Sequence, residues 1–315
     1  MRRFVKPILV VSRCLGFDCC RYDSQMVESP FMAALRPWAH LLTVCPEMEI
    51  GLGVPREKIR IVGKNTDKMK LFQPATGRDL TRQMQRFARG FVKQLDVVDG
   101  FLLKSKSPSC GLGTCKLFES EEKEAKIIGR VSGFFAAEVE RVFGAYPMTD
   151  EHRLEDDRRR EQWLTAVFTL AAFRKAAGYD SVNSLRKFHE YHHTLLMVHG
   201  KRRTVELGKM LEQDSVKNVT KLTKDYRQGL LGILARKPRR QLFVKAFEPA
   251  VENYRRYLTK QNLRRYDSIA EEYSVGTTSL AELRALIQVW GVRYDKNFIR
   301  EHALYRPYPG ELAKA

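Results

Sequence analysis

The sequence has no long apolar run: stretches such as ILVV and LLMV fall far short of the roughly 20 residues a membrane span requires. Its start, MRRFVKPILVVSRC, has a basic head but too little apolar sequence behind it for a secretory signal, so the expected location is the cytoplasm. Internal repeats and low-complexity tracts are absent. Cysteine is sparse, six in 315 residues, and in a reducing compartment such cysteines are thiols or metal ligands rather than structural disulfides. None forms a C-x-x-C pair, which argues against the closed zinc site of a zinc ribbon. What is present is a folded composition, 43% hydrophobic and 30% charged, in a chain long enough for two domains.

Positive charge is abundant and unevenly placed. The formal net charge is +19, and residues 201–266 alone hold 18 basic and 6 acidic residues, an excess of +12. A merely solvated surface spreads its charge, so this concentration points to a polyanion, most simply nucleic acid.

The first half alternates apolar runs with amphipathic stretches. ILVVS (8–12), LLTVC (41–45) and GFLLK (100–104) read as buried strands. SPFMAALRPW, residues 80–95 and SGFFAAEVERVFG (132–144) read as helices, with Leu80, Met84, Phe87, Phe91 and Leu95 at helical spacing. Strand–helix–strand at these distances implies a Rossmann-like α/β domain with a parallel sheet over 1–150. Residues 147–162 read as a charged connector. An all-α domain over 151–315 follows, its helices expected at 163–177, 181–199, 203–213, 216–236, 239–273 and 279–290.

In GFLLKSKSPSCGLGTC (100–115) a buried strand gives way to small polar residues around Cys110. Cys14 and Cys45 likewise end ILVVSRC and LLTVC. Carboxyl ends of strands in an open parallel sheet are where ligands bind. Three thiols there, with no evident fourth ligand, fit an iron–sulfur cluster that leaves one iron open; ordinary buried thiols are the competing reading.

The motifs SRCLGFDCCRYD, VCPEMEIGLGVPR, TGRDLT and KSKSPSCG together resemble the thiouracil desulfidase family over about residues 5–145. The later FHEYHHTLLMVHG and YRQGLLGILARKPRR resemble a YbgA-type helical domain of unknown function, and the fusion is similar to bacterial desulfidases that return 4-thiouridine in transfer RNA to uridine. The resemblance implies a [4Fe-4S] cluster on Cys14, Cys45 and Cys110, whose open iron accepts the substrate sulfur. It also implies a catalytic glutamate at Glu47, a catalytic serine at Ser107 and transfer RNA as partner. Cys20 matches the family's CRYD position and reads as a supporting residue, Cys19 and Cys115 as bystanders. Ser24 stands where the family usually has glycine.

In the second half, His189, His192, His193 and His199 include a short zincin-like HEYHH, but no third ligand is evident and the neighbouring Phe188, Leu195 and Leu196 mark a packing interface. Arg236, Lys237, Arg239 and Arg240 surround Pro238, with Arg255 and Arg256 farther on, and these six are the expected phosphate-tracking residues. Tyr226, Tyr254, Tyr257 and Tyr266 are interleaved with them, and most read as core. Two rival functions stay open: an enzyme acting on free thiouracil-type bases, and a non-catalytic nucleic-acid-binding protein with a structural metal.

Overall fold

A computed structural model describes residues 4–66, 68–122, 124–212 and 218–314, so the proposed helix edges at 213 and 216–217 lie outside it. The chain divides into two compact units, one over Pro7–Asp156, the other over Asp157–Lys314 together with residues 4–6.

The first unit is built on β1 (Ile8–Ser12), which leads through α1 (Pro30–Leu35) to the parallel β2 (His40–Val44) and α2 (Pro46–Glu49). A second sheet comes next in the chain, with β3 (Arg60–Val62), β4 (Lys70–Gln73) and β5 (Arg78–Asp79). After α3 (Thr81–Lys93) the chain returns to the first sheet as β6 (Gly100–Leu103), then to the second as β7 (Cys115–Phe118) and β8 (Ile127–Val131). α4 (Phe134–Phe143) and β9 (Met148–Asp150) close the unit. The first sheet is parallel throughout, in the order β2-β1-β6-β9.

The three strands read from the sequence are β1, β2 and β6, and the three helices are α1, α3 and α4. The sequence pattern did not reveal the second sheet, order β5-β4-β3-β7-β8, in which only β3 and β7 pair in parallel. Its strands are two to five residues long, too short to establish an alternation. β9 also falls within the stretch read as a connector: its Thr149 and Asp150 are buried, and the Asp150 carboxylate accepts from the Arg153 amide at 2.8 Å. On α3, Met84, Ala88 and Val92 face the core, while Phe87 and Phe91 pack on Phe135 of α4.

The second unit is helical. α5 (Asp157–Ala177) begins six residues before its apolar segment, because its first turns are charged and only Trp163 onward is buried. α6 (Val182–Glu212) joins the two helices read at 181–199 and 203–213 across a non-helical Gly200. α7 (Val219–Leu234) follows. The single helix expected at 239–273 is instead α8 (Arg240–Tyr254) and α9 (Lys260–Val275), because Thr259 and Asn262 form a capping box that starts a new helix. α9 stops at Gly276, whose φ of 97° is the left-handed conformation glycine tolerates best. α10 (Leu280–Tyr294) and α11 (Lys296–Arg300) complete the unit. Its core includes Leu195, Phe247, Tyr254, Leu283, Ile287 and Leu304. Among the described residues, no helix is long and apolar enough to cross a membrane.

Candidate active site at the carboxyl edge of the parallel sheet

β2, β1 and β6 are neighbours and run in one direction, so their carboxyl ends open onto a common edge. Cys45 follows β2 directly as the residue preceding α2, Cys14 lies just beyond β1, and Cys110 sits in the loop after β6. All three line one cavity of about 860 Å³, together with Glu47, Ser107 and Cys20.

The loop carrying Cys110 is held by Ser107. Its Oγ accepts hydrogen bonds from the amides of Ser109 (3.2 Å) and Cys110 (3.1 Å), and donates one to Glu47 Oε1 at 3.2 Å. The same loop packs on the start of α4, where the amides of Phe134, Phe135 and Ala136 donate to the carbonyls of Pro108 and Ser109 at 2.9–3.0 Å. Two glycines allow this approach. A Cβ on Gly111 would lie 2.6 Å from Cys115 Sγ, and one on Gly133 would lie 2.5 Å from the Ser109 carbonyl. Small residues at the strand end therefore serve a tight loop that positions a thiol.

Cys115, read as a bystander, is buried under that loop, its Sγ donating to the Ser107 carbonyl at 2.8 Å. Burial pushes its thiol up to about 12. Nothing in its spacing marks this supporting role. Cys19 is exposed. Cys20 is buried, its thiol within hydrogen-bonding reach of Cys14 and Cys45, and its carbonyl accepts from Arg56 Nη1 at 2.9 Å.

Cys20, Cys45 and Cys110 are strongly disposed to stay protonated. The hydrogen bond to Cys14 leads the rise of Cys20 to about 11, and the bond to Cys20, followed by burial, raises Cys45 further. Cys110 is raised by burial first and then by the Glu47 charge. Making thiolates here requires a cation to take the place of the protons, as in metal binding coupled to proton release. Among the described residues no three His, Cys, Asp or Glu side chains form a single-ion site. The soft donors are instead distributed around a cavity, an arrangement suited to a multinuclear cluster. The Ser109 hydroxyl beside Cys110 is fully buried and has no hydrogen-bond partner among the described residues, so it can donate to a sulfur acceptor.

Glu47 is buried near the start of α2, with Oε2 3.6 Å from Cys45 Sγ and Oε1 on Ser107. All five residues expected for cluster and catalysis, Cys14, Cys45, Cys110, Glu47 and Ser107, line this one cavity. The sequence did not single out the charge at the mouth. Among the described residues Glu47 and Glu57 are the only carboxylates lining the cavity, against Lys58, Lys106, Lys116 and Arg130 among its lysines and arginines. Lys58 lies over the Tyr22 ring at 4.9 Å, and Arg130 donates to the Thr114 carbonyl at 3.2 Å.

The candidates on the helical unit have mixed surroundings. Arg236, Lys237 and Arg239 are exposed between α7 and α8, and Arg240 lies over the Tyr273 ring at 5.9 Å. Arg255 is ion-paired with Glu252 at 2.7 Å, and exposed Arg256 lies over Tyr257 at 4.7 Å. Tyr226, Tyr254 and Tyr266 are core residues, whereas Tyr257 is exposed and stacks on Tyr294. Three of the four histidines bind neighbours within the fold: His189 Nδ1 pairs with the Tyr226 hydroxyl at 2.8 Å, His192 with the Phe188 carbonyl at 2.8 Å and His199 with the Arg236 carbonyl at 3.4 Å.

Residues 9–151 match the family model described as 2-thiouracil desulfurase. That match falls within the first unit. Residues 194–309 match the model of a protein family of unknown function, DUF1722. The chain is similar to the uncharacterized protein YbbK of Bacillus subtilis (strain 168), at 29% identity over 156 residues, which is 47% of this chain and 99% of that protein. A solved structure, the [4Fe-4S]-dependent thiouracil desulfidase TudS, shares 27% identity over 48% of this chain and 94% of its own, with a TM-score of 0.39. The residues lining the thiol cavity all fall within residues 9–151, the stretch matched by the 2-thiouracil desulfurase model.

Proposed function

We propose that the protein removes sulfur from 4-thiouridine in transfer RNA, yielding uridine and sulfide without a change of redox state. The observation that carries this reading is the juxtaposition of the thiol group and the Glu47–Ser107 pair in a cavity whose mouth is lined by lysines and arginines. A free thiolated base is uncharged and has no use for such a mouth, whereas a nucleotide within RNA brings phosphates to it. The excess of +12 over residues 201–266, with Arg236, Lys237, Arg239, Arg240, Arg255 and Arg256, supplies a further set of cations for the same polyanion.

Cys14, Cys45 and Cys110 would hold a [4Fe-4S] cluster, with Cys20 in support. When bound, such a cluster supplies a sulfur-seeking Lewis acid. Glu47 acts as the general base, taking a proton from the water that adds to C4 and returning it toward the departing sulfur as the C–S bond breaks. Ser107 keeps the carboxylate turned into the cavity through its bond to Oε1 and fixes the Cys110 loop by its two amide contacts. The base has to leave its stack to enter, and an unpaired or weakly stacked nucleotide does so at least cost.

The test is anaerobic reconstitution with iron and sulfide, followed by incubation with thiolated transfer RNA or with free thiouracil and analysis of the products. Faster loss of 4-thiouridine from transfer RNA is expected. Equal rates on RNA and free base would favour the free-base rival, and iron-loaded protein that leaves both substrates intact would refute desulfuration.

A further inference from the structure

The helical unit contains a second cavity, and we infer that it is a binding site for a nucleotide, with the ring on an aromatic floor and the phosphate at a cationic rim. The cavity, about 660 Å³, is lined by α5, α6, α10, α11 and the segment around Tyr305, with Phe4 and Val5 contributing from the N-terminus. That volume lies within the roughly 300–1,000 Å³ range of small-molecule sites. This inference does not depend on the desulfurase chemistry.

The floor is aromatic. Phe168, Phe188, His192 and Tyr305 are buried, and Phe188 and His192 lie with ring centroids 4.2 Å apart. Flat faces of this kind stack on a heteroaromatic ring, and the polar edges needed to orient one come from Gln288 and Ser184 in the same lining. Gln288 is itself fixed, its Nε2 donating to the Tyr305 carbonyl at 2.6 Å.

The rim determines the charge of the ligand. Lys175, Lys187, Lys296, Arg300 and Arg306 all line the cavity, and among the described residues no aspartate or glutamate does. Among the described residues none of these five takes part in an ion pair. Arg255 and Arg160 elsewhere in the unit are, by contrast, paired locally with Glu252 and Asp157. Five like charges around one opening repel one another, and a bound phosphate relieves that repulsion. An aliphatic anion could satisfy the rim, but it would leave the stacking faces and amide edge unused, so a nucleoside phosphate is the better fit.

The probes are uridine 5′-monophosphate, adenosine 5′-monophosphate, the corresponding nucleosides, a short unstructured oligoribonucleotide and a medium-chain fatty acid, titrated calorimetrically against the full chain. Saturable mononucleotide binding is expected, at least about tenfold tighter than the nucleoside because the phosphate gains charge-assisted contacts. Lys296→Gln with Arg300→Gln, both exposed on α11, should remove most of that advantage without changing nucleoside binding. Ala176→Trp, which fills the cavity and leaves every cation in place, should abolish both. Competition by the oligoribonucleotide would identify an RNA nucleotide as the natural occupant, and its failure to compete would identify a free one. The inference is overturned if neither mononucleotide binds at millimolar concentration, if binding survives all of these substitutions with the fold intact by circular dichroism, or if only the fatty acid binds.

Discussion

Replacing Ser107 by alanine tests whether the serine acts in chemistry, in building the loop, or in both. The substitution deletes a bond to Glu47 Oε1 and also leaves the amides of Ser109 and Cys110 without the acceptor they meet at 3.2 and 3.1 Å. Leaving a buried donor unpaired costs about 1–3 kcal/mol. Ser109 and Cys110 are both buried, so one amide that stays dry is enough to cost the domain about 1–3 kcal/mol. For a domain of this size that corresponds to a melting temperature lowered by about 2–4 °C per kcal/mol. The assay is thermal unfolding of the cluster-free protein, where catalysis plays no part, alongside iron content and desulfuration after reconstitution. Ser107→Ala should unfold earlier and lose turnover, whereas Ser107→Thr, which keeps the hydroxyl, should recover stability. Unfolding of Ser107→Ala at the wild-type temperature would refute the loop role, and undiminished desulfuration would remove Ser107 from the mechanism.

Glu47→Gln preserves size and should retain iron while losing turnover by about 10²–10⁴-fold, the usual contribution of a general acid–base group, as single-turnover kinetics would show. Replacing Cys14, Cys45 or Cys110 by alanine should abolish reconstituted iron absorbance and Cys19→Ala should not; zinc as the only bound metal after anaerobic reconstitution would contradict the cluster assignment. Burial lowers His189 and His199 from 6.5 to about 4, so the folded state keeps them neutral while the unfolded chain takes up protons below 6.5. The stability this gives above pH 6.5 is lost as pH falls toward 4, about 2 kcal/mol per histidine by pH 5, and urea unfolding at pH 7 and 5 should show it. Neutralising Arg236, Lys237, Arg239 and Arg240 together should weaken transfer-RNA binding and flatten its dependence on salt without impairing turnover of a small thiolated base; unchanged RNA affinity would make that turn a solvated surface.

The parallel sheet was legible because β1 and β6 are nearly continuous apolar runs, as strands buried on both faces are, whereas β2, also expected to be buried, is an edge strand that buries only Val44. The thiol edge followed from it, since a cysteine at the end of each of three parallel strands has only one edge to occupy. The second sheet left no comparable trace. Its strands β3 and β5 are three and two residues long, and they are specified by pairing with distant partners, such as Ile61 with Leu117, rather than by their own pattern. The supporting residues were hidden for the same reason. Cys115 acquires its role from the Ser107 carbonyl and Gly133 from the Ser109 carbonyl, contacts made across the loop and across its junction with α4. On the helical side, apolar periodicity ran on through residues 255–259, and the break there came from a cap, Thr259 with Asn262, that outweighed continuity.

The distribution of charge is what separates the possible substrates. A pocket for a neutral base has reason to be apolar and to keep cations away from its entrance, because unpaired lysines around one opening repel each other and are costly to desolvate. Here Lys58, Lys106 and Lys116 line the cavity with one exposed carboxylate, Glu57, among them, and among the described residues none of the three lysines forms an ion pair. A phosphate bound there would relieve that repulsion as the substrate arrives. On this argument a thiolated nucleotide within RNA should bind more tightly than the free thiolated base, and titrations at rising salt should show that advantage shrinking; equal affinities at low salt would refute the argument.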